Sequence, residues 1–238
     1  MTLRRRERGA PRPSPGSRPA RAHASHPRRR ETPPVRITVI GSTGHTGRHV
    51  IVEALRRDHQ VVAFTRRPAA LSDPTGLQAV VEGDGRDPEK VREAVAGSDA
   101  VISIINGGGR HDPHRAADAT RTITTVMADL NVRRLVITSA YPLVAHKPRI
   151  PLWVLRRLLA TPYADAAEME RVVSAGDLDW TIARLTRLTD KPATGAVLTS
   201  RVLLERPLAL TRADVAATLL DIVQDTHLAG AAVNICGR

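Results

Sequence analysis

The chain has 238 residues, ample for a buried core, with a formal net charge of +12 and one cysteine, Cys236. That composition excludes an intrachain disulfide and makes a cysteine zinc site untenable, and no run reaches the roughly 18 apolar residues of a membrane span. Ten of the 36 basic residues but only two of the 24 acids lie in residues 1–35, so the basic excess belongs to one end and says little about the rest.

Residues 1–34 are rich in Arg, Pro, Ser and Ala, hold seven of the 17 prolines and carry almost no large apolar side chains. Such a segment cannot bury enough surface to offset its ordering entropy and is expected to be a disordered tail. Its arginines would hold nucleic acid only nonspecifically and in a salt-dependent way. A targeting segment, or no function at all (a start codon chosen too far upstream), are the other readings. No continuous apolar stretch follows the arginines, so a secretory or twin-arginine signal is not supported, and the expected setting is soluble and cytoplasmic.

The folded part is expected over 35–238, opening with a β-branched strand at 36–40, a glycine turn and an amphipathic helix at 45–57. Gly41, Gly44 and Gly47 recur every three residues where strand must become helix. That is a variant of the dinucleotide-binding fingerprint: the glycines allow a tight turn, close approach of a pyrophosphate and close helix–sheet packing. Free N–H groups at the positive end of the helix would hold the phosphates. Ser42, Thr43 and Thr46 add hydroxyl donors without bulk.

Val61–Thr65 forms the second strand and ends in Arg66-Arg67-Pro68. An acid at this strand end would bind the 2′-hydroxyl of NAD, whereas an arginine accommodates the 2′-phosphate of NADP. Arg66 therefore favours NADPH over NADH; the plain alternative is that both arginines cap a loop. Leu77–Val81 is a third strand, followed by Asp84, either an acceptor for the adenine amino group or a residue of a polar turn. A helix over Pro88–Ala96, a fourth strand over Asp99–Ile105 and the glycines after Asn106 follow. Gly107 there would let the backbone pass close to a bound cofactor.

His111-Asp112-Pro113-His114 lies in a loop with no third strong ligand nearby, so no metal site is expected. A long helix over 114–130 leads to the fifth strand, Val132–Thr138, and to Ser139-Ala-Tyr141. A loop and basic apolar helix containing Trp153, a helix over Tyr163–Ser174 and a sixth strand at Leu178–Ala183 come next. Val197–Arg206 is expected as strand or hairpin, Thr211 as the N-cap of a helix to Val223, and Ala231–Ile235 as the closing strand. This alternation marks an α/β fold of Rossmann type, a parallel sheet wound on both faces, with ligands beyond the strand carboxyl ends.

Together, Ile40-Gly-Ser-Thr-Gly-His-Thr-Gly47, Phe64-Thr-Arg-Arg67, Gly83-Asp84, Asp99-Ala-Val-Ile102, Val136-Ile-Thr-Ser-Ala140, Leu178-Asp-Trp-Thr-Ile182 and Arg212-Ala-Asp-Val215 resemble the atypical short-chain dehydrogenase/reductase group. The likeness covers about residues 35–235 and is to its NmrA-like and biliverdin reductase B/flavin reductase-like members. The resemblance implies that Gly41, Thr43, Gly44, His45, Thr46 and Gly47 surround the pyrophosphate, with Arg66 (and neighbouring Arg67) at the 2′-phosphate and Asp84 by the adenine. It further implies that Gly107 and Ser139 line the nicotinamide side.

The expected activity is NADPH-dependent hydride transfer to a small planar acceptor such as a flavin, quinone or related carbonyl compound. Ser139 would orient carboxamide or substrate, and Tyr141 and Tyr163 would be candidate proton donors. The alternative is a non-enzymatic NADP sensor or scaffold of NmrA-like type. Three departures bear on this choice. The Tyr-x-x-x-Lys pair is absent, Arg184 is followed by Leu185 where these relatives have proline, and the helix opening at Tyr163-Ala-Asp165 lacks the histidine of biliverdin reductase B-like enzymes.

Overall fold

The computed structural model describes residues 33–238, apart from Asn106, Arg110, Lys147, Pro148 and the side chains of 149–152. The expectation of a disordered tail therefore lies, but for Pro33 and Pro34, outside the described residues. The strands are β1 (Arg36–Ile40), β2 (Gln60–Thr65), β3 (Ala79–Glu82), β4 (Ala100–Ser103), β5 (Arg134–Ala140), β6 (Asp179–Leu185), β7 (Leu188–Thr189), β8 (Val197–Ser200), β9 (Leu210–Thr211) and β10 (Ala231–Gly237). The helices are α1 (His45–Arg56), α2 (Pro88–Val95), α3 (Arg115–Asp129), α4 (Arg149–Leu158), α5 (Ala160–Ser174) and α6 (Arg212–Gln224).

Among the described residues the main sheet runs β3-β2-β1-β4-β5-β6-β10-β8, and β7 pairs with β9 in a small second sheet. Neighbours from β3 to β10 are parallel, and only β8 is antiparallel, at the edge. The order 3-2-1-4-5-6 is that of the doubly wound dinucleotide fold.

Period-two alternation sends each strand's side chains to two separate cores. Ile37, Val39, Val61, Ala63 and Ile102 pack against Val50 and Ala54 of α1 and Leu219 and Leu220 of α6. Ile40, Val62, Phe64, Val101 and Ile137 face the other way, onto Val91 of α2, Ile123 and Met127 of α3, and Met169 and Val173 of α5. Arg57 fastens the first layer: it donates to Glu53 (2.7 Å), to Asp221 (2.6 Å) and to the Ala217 carbonyl (3.1 Å), joining the end of α1 to α6.

Thr211 does cap α6, accepting from the Asp214 N–H at 3.0 Å. The return arm of a capping box is redirected, however. Asp214 accepts from the backbone N–H groups of Thr194 and Gly195 and from the Thr211 and Thr194 hydroxyls, and so anchors the loop before β8. Burial pushes its carboxyl up, but these donors outweigh burial and hold it below the ordinary value.

His59, 4 % exposed, sits under the same layer, accepting from the Val35 N–H at 3.3 Å. Burial, seconded by the Arg57 charge, holds its pKa below the usual histidine value. The unfolded chain therefore takes up this proton first as pH falls. The associated stability is complete above the ordinary histidine pKa, about 6.5, and is lost below it. We expect the urea midpoint to fall between pH 7.5 and 5.5, a pair of conditions about one unit either side of that value, and this component to vanish in His59→Gln. An unchanged slope in the variant would assign the loss to other groups.

Candidate functional site

At the carboxyl end of β1 the chain turns sharply under the constraint of its neighbours. Gly41 has φ +85°, a left-handed conformation, and a Cβ there would lie 2.6 Å from the Ile104 carbonyl oxygen. A Cβ at Gly47 would lie 2.3 Å from the Gly41 oxygen and 2.9 Å from Ser42 backbone atoms. Gly41 and Gly47 are thus glycines because backbone passes over backbone, as the fingerprint requires. Gly44 is the N-cap of α1; no side chain caps this helix, and its first turn contains no acid. The positive helix end is open to an anion, with His45 exposed beside it and Thr46 largely buried.

The hydroxyls divide differently from expectation. Ser42 is fully buried and donates to the Phe64 carbonyl at 3.0 Å, which locks the turn to β2 and takes this hydroxyl away from any phosphate. Thr43 meets Thr65 at 2.7 Å, and Thr65 in turn accepts from the Arg67 N–H at 3.1 Å. The glycine turn and the arginines at the end of β2 are thereby one hydrogen-bonded unit.

A cleft runs over this edge, lined by Gly41, Thr43, Gly44, Arg66, Arg67 and Asp84, with Ile40, Phe64, Ile104, Ile105 and Ala119 as its apolar wall. Asp84 is gripped by Arg86 through both carboxylate oxygens at 3.0 Å, and Arg66 stands 4.0 Å away on the same group. The Arg86 guanidinium, outweighing burial, keeps the Asp84 carboxyl below its usual range. Arg115 also lines the cleft and donates to the Gly107 carbonyl at 3.0 Å, a contribution unrecognised in the sequence.

Arg115 opens α3, whose N-cap, His114, provides no side-chain bond. Asp165 of α5, 1 % exposed, does so from across the interface, accepting from Gly108 (2.6 Å), Ala116 (2.8 Å) and Ala117 (2.9 Å). Gly107 itself abuts α5: a Cβ there would lie 2.4 Å from the Pro162 oxygen. Protein backbone, independently of any ligand, already demands glycine at this position. Of the His111–His114 stretch, Asp112 accepts from Arg86 at 3.2 Å, and among the described residues no group of three His, Cys, Asp or Glu is placed to hold a metal.

Ser139, Tyr141 and Tyr163 are not among the residues lining this cleft. Ser139 and Arg184 are register partners at the carboxyl ends of β5 and β6. Both converge on Glu170 of α5. Ser139 donates to Oε1 at 2.6 Å, and Arg184 forks the carboxylate with Nε at 3.0 Å from Oε1 and a terminal nitrogen at 2.6 Å from Oε2.

Tyr141, expected as a candidate proton donor, is bonded within the protein. Its phenol, on a side chain only 4 % exposed, donates to the Leu204 carbonyl (3.2 Å) and accepts from the Leu204 N–H (2.9 Å), a tether for the segment after β8. Tyr163 is half-buried, and burial raises its pKa above the ordinary phenol value against the opposing charge of Arg156. It therefore keeps its proton at neutral pH.

Comparison with known proteins agrees with this fold. The chain is 29% identical over 163 residues to an uncharacterized protein of Mycobacterium tuberculosis, matching 58% of this chain but only 18% of that protein's length. It is 27% identical over 194 residues to the Bacillus subtilis protein named as uncharacterized sugar epimerase YhfK, across 78% of this chain and 86% of that one. Among solved structures, a short-chain dehydrogenase/reductase from Veillonella parvula in complex with NADP superposes with a TM-score of 0.73 at 19% identity, over 85% of this chain and 94% of the other. ChuY, an anaerobilin reductase from Escherichia coli O157:H7, superposes at 0.70 with 19% identity, over 85% and 97%. The model of the NAD(P)H-binding family matches residues 41–226, from the first glycine of the turn to the end of α6 and just beyond, and the chain belongs to that family.

Proposed function

We propose that this protein is an NADPH-dependent reductase that passes hydride to a small planar acceptor, a flavin, quinone or related carbonyl compound, in the cytoplasm. The observation carrying this reading is the unit at the ends of β1 and β2: an uncapped helix start behind Gly41–Gly47, bonded through Thr43 and Thr65 to a strand end that bears Arg66 and Arg67 and no acid. His45, Thr46 and Gly47 would hold the pyrophosphate with backbone N–H groups, while Gly41 and Gly44, whose N–H groups donate to the Phe64 and Gly41 carbonyls, shape the turn; Arg66 and Arg67 would hold the 2′-phosphate and Asp84 the adenine edge. When bound, the reduced nicotinamide supplies the hydride.

The acceptor would meet an apolar rim. Trp153, Val154 and Leu158 of α4 and Val202, Leu203 and Leu208 after β8 are large, exposed apolar side chains. Both segments are tied to the stretch beyond Ser139, since Arg156 donates to the Pro142, Leu143 and Ala145 carbonyls while Tyr141 holds Leu204. An acceptor there meets aliphatic surface and one indole, which suits a planar, weakly polar molecule.

The test is loss of reduced-nicotinamide absorbance with a panel of flavins, quinones and aldehydes, alongside binding titrations of NADPH and NADH. We expect Arg66→Ala to weaken NADPH by about tenfold, one charge-assisted hydrogen bond, and NADH by less than about twofold. Equal losses would show that Arg66 does not read the 2′-phosphate. A second reading, the NADP sensor, is favoured by one observation: the hydroxyl protons of Tyr141 and Ser139 are both committed within the protein. Tight NADPH binding with no turnover of any acceptor would select it.

A further inference from the structure

Glu170 has no place in the cleft that would hold the dinucleotide phosphates, yet it joins the carboxyl ends of β5 and β6, the strands beyond β4 in the same sheet. Its side chain is 13% exposed and that of Arg184 20%. A carboxylate is an acceptor only, so the proton in the 2.6 Å contact belongs to Ser139 and points at Glu170. The guanidinium fork adds directional bonds that fix the carboxylate plane. Three side chains from β5, β6 and α5 thus leave Ser139 with one defined hydroxyl direction.

We propose that Glu170, seated by Arg184, is a positioning residue of the reductase site: it takes the Ser139 proton and presents the Ser139 oxygen to the ligand as a hydrogen-bond acceptor. This assignment rests on the reductase reading and sharpens it. The group facing Ser139 then carries a donor: the carboxamide N–H of the nicotinamide, or an N–H or O–H of the acceptor. A bare carbonyl oxygen is not held there, and the proton that completes reduction comes from another source. Tyr163, half-buried, is the remaining candidate among the side chains.

The test is a double-mutant cycle in the full chain, with NADPH oxidation by the best acceptor of the panel as the readout. Ser139→Ala and Glu170→Gln are each expected to lower kcat by about tenfold through lost orientation, with KM for NADPH changed less than about twofold. If Glu170 acts through Ser139, the double variant loses no more than either single one. Should Glu170→Gln melt early because Arg184 is stranded, Glu170→Gln/Arg184→Met removes both charges and replaces it in the cycle.

Additive losses, about a hundredfold in the double variant, or a Glu170→Gln that keeps kcat while only losing stability, would overturn the assignment and leave the reductase intact. A wild-type protein that binds NADPH but reduces nothing in the panel would overturn the reductase reading and this assignment with it.

Discussion

Replacing Asp165 with alanine is expected to destabilise the folded unit by about 3–5 kcal/mol, among the largest effects of any single substitution here. Three buried backbone N–H groups, on Gly108, Ala116 and Ala117, share this one carboxylate. Removing it strands all three in a place 1 % exposed, and each buried donor left unpaired costs about 1–3 kcal/mol. For a unit of this size the melting temperature should drop by about 10 °C.

Because the same carboxylate fixes the start of α3, Arg115 loses its position over the cleft, so NADPH affinity should fall with stability. Asp165→Asn keeps one acceptor oxygen but points an amide donor at donors, and should lie between wild type and alanine. Urea unfolding with a parallel NADPH titration measures both. A loss below about 1 kcal/mol in Asp165→Ala would show that water enters and satisfies the three donors.

Gly47→Ala should nearly abolish dinucleotide binding, by about a hundredfold or more in Kd. The added methyl would lie 2.3 Å from the Gly41 oxygen and 2.9 Å from Ser42 Cα, both backbone atoms that no rotamer change can move aside. The turn must open, and with it the packing of α1 on the sheet and the aim of its N–H groups. Gly176→Ala is the matched control, since its methyl would meet only the Val173 carbonyl oxygen at 3.7 Å, an ordinary contact after α5. Comparable NADPH affinity in Gly47→Ala and wild type would mean that the phosphates lie elsewhere.

The strand, turn and helix that would hold the phosphates were legible because they are local. Strand, turn and helix from Arg36 to Arg56 are contiguous, and their periodicities and glycine spacing belong to one stretch of chain. Boundaries shifted where turns intrude: the third strand begins at Ala79, not Leu77, because the Leu77 N–H bonds the Pro74 carbonyl in a turn. The fourth ends at Ser103, not Ile105, although Ile104 still bonds the Ile40 carbonyl.

The cluster around Ser139 was not legible, because its residues meet only in three dimensions. Glu170 lies 31 positions from Ser139 and 14 from Arg184 and looks, on a helix, like any solvated acid. Asp165 carries the same disguise. Tyr141 drew attention as a phenol near a strand end, but its use is set by Leu204, 63 residues on, which no local pattern announces. The two-residue strands β7 and β9 are too short to leave a periodicity at all.

The placement of β10 between β6 and β8 has a consequence for the order of assembly. Strands β1 to β6 can zip together as they leave the ribosome, each beside a neighbour already made. β8 cannot: its partners, Asn234 to Gly237, are made more than thirty residues later. Through that interval β8 has no sheet strand to join. β8 is thus a strand that waits for its partner during synthesis, and it is there that a holding chaperone would find its grip.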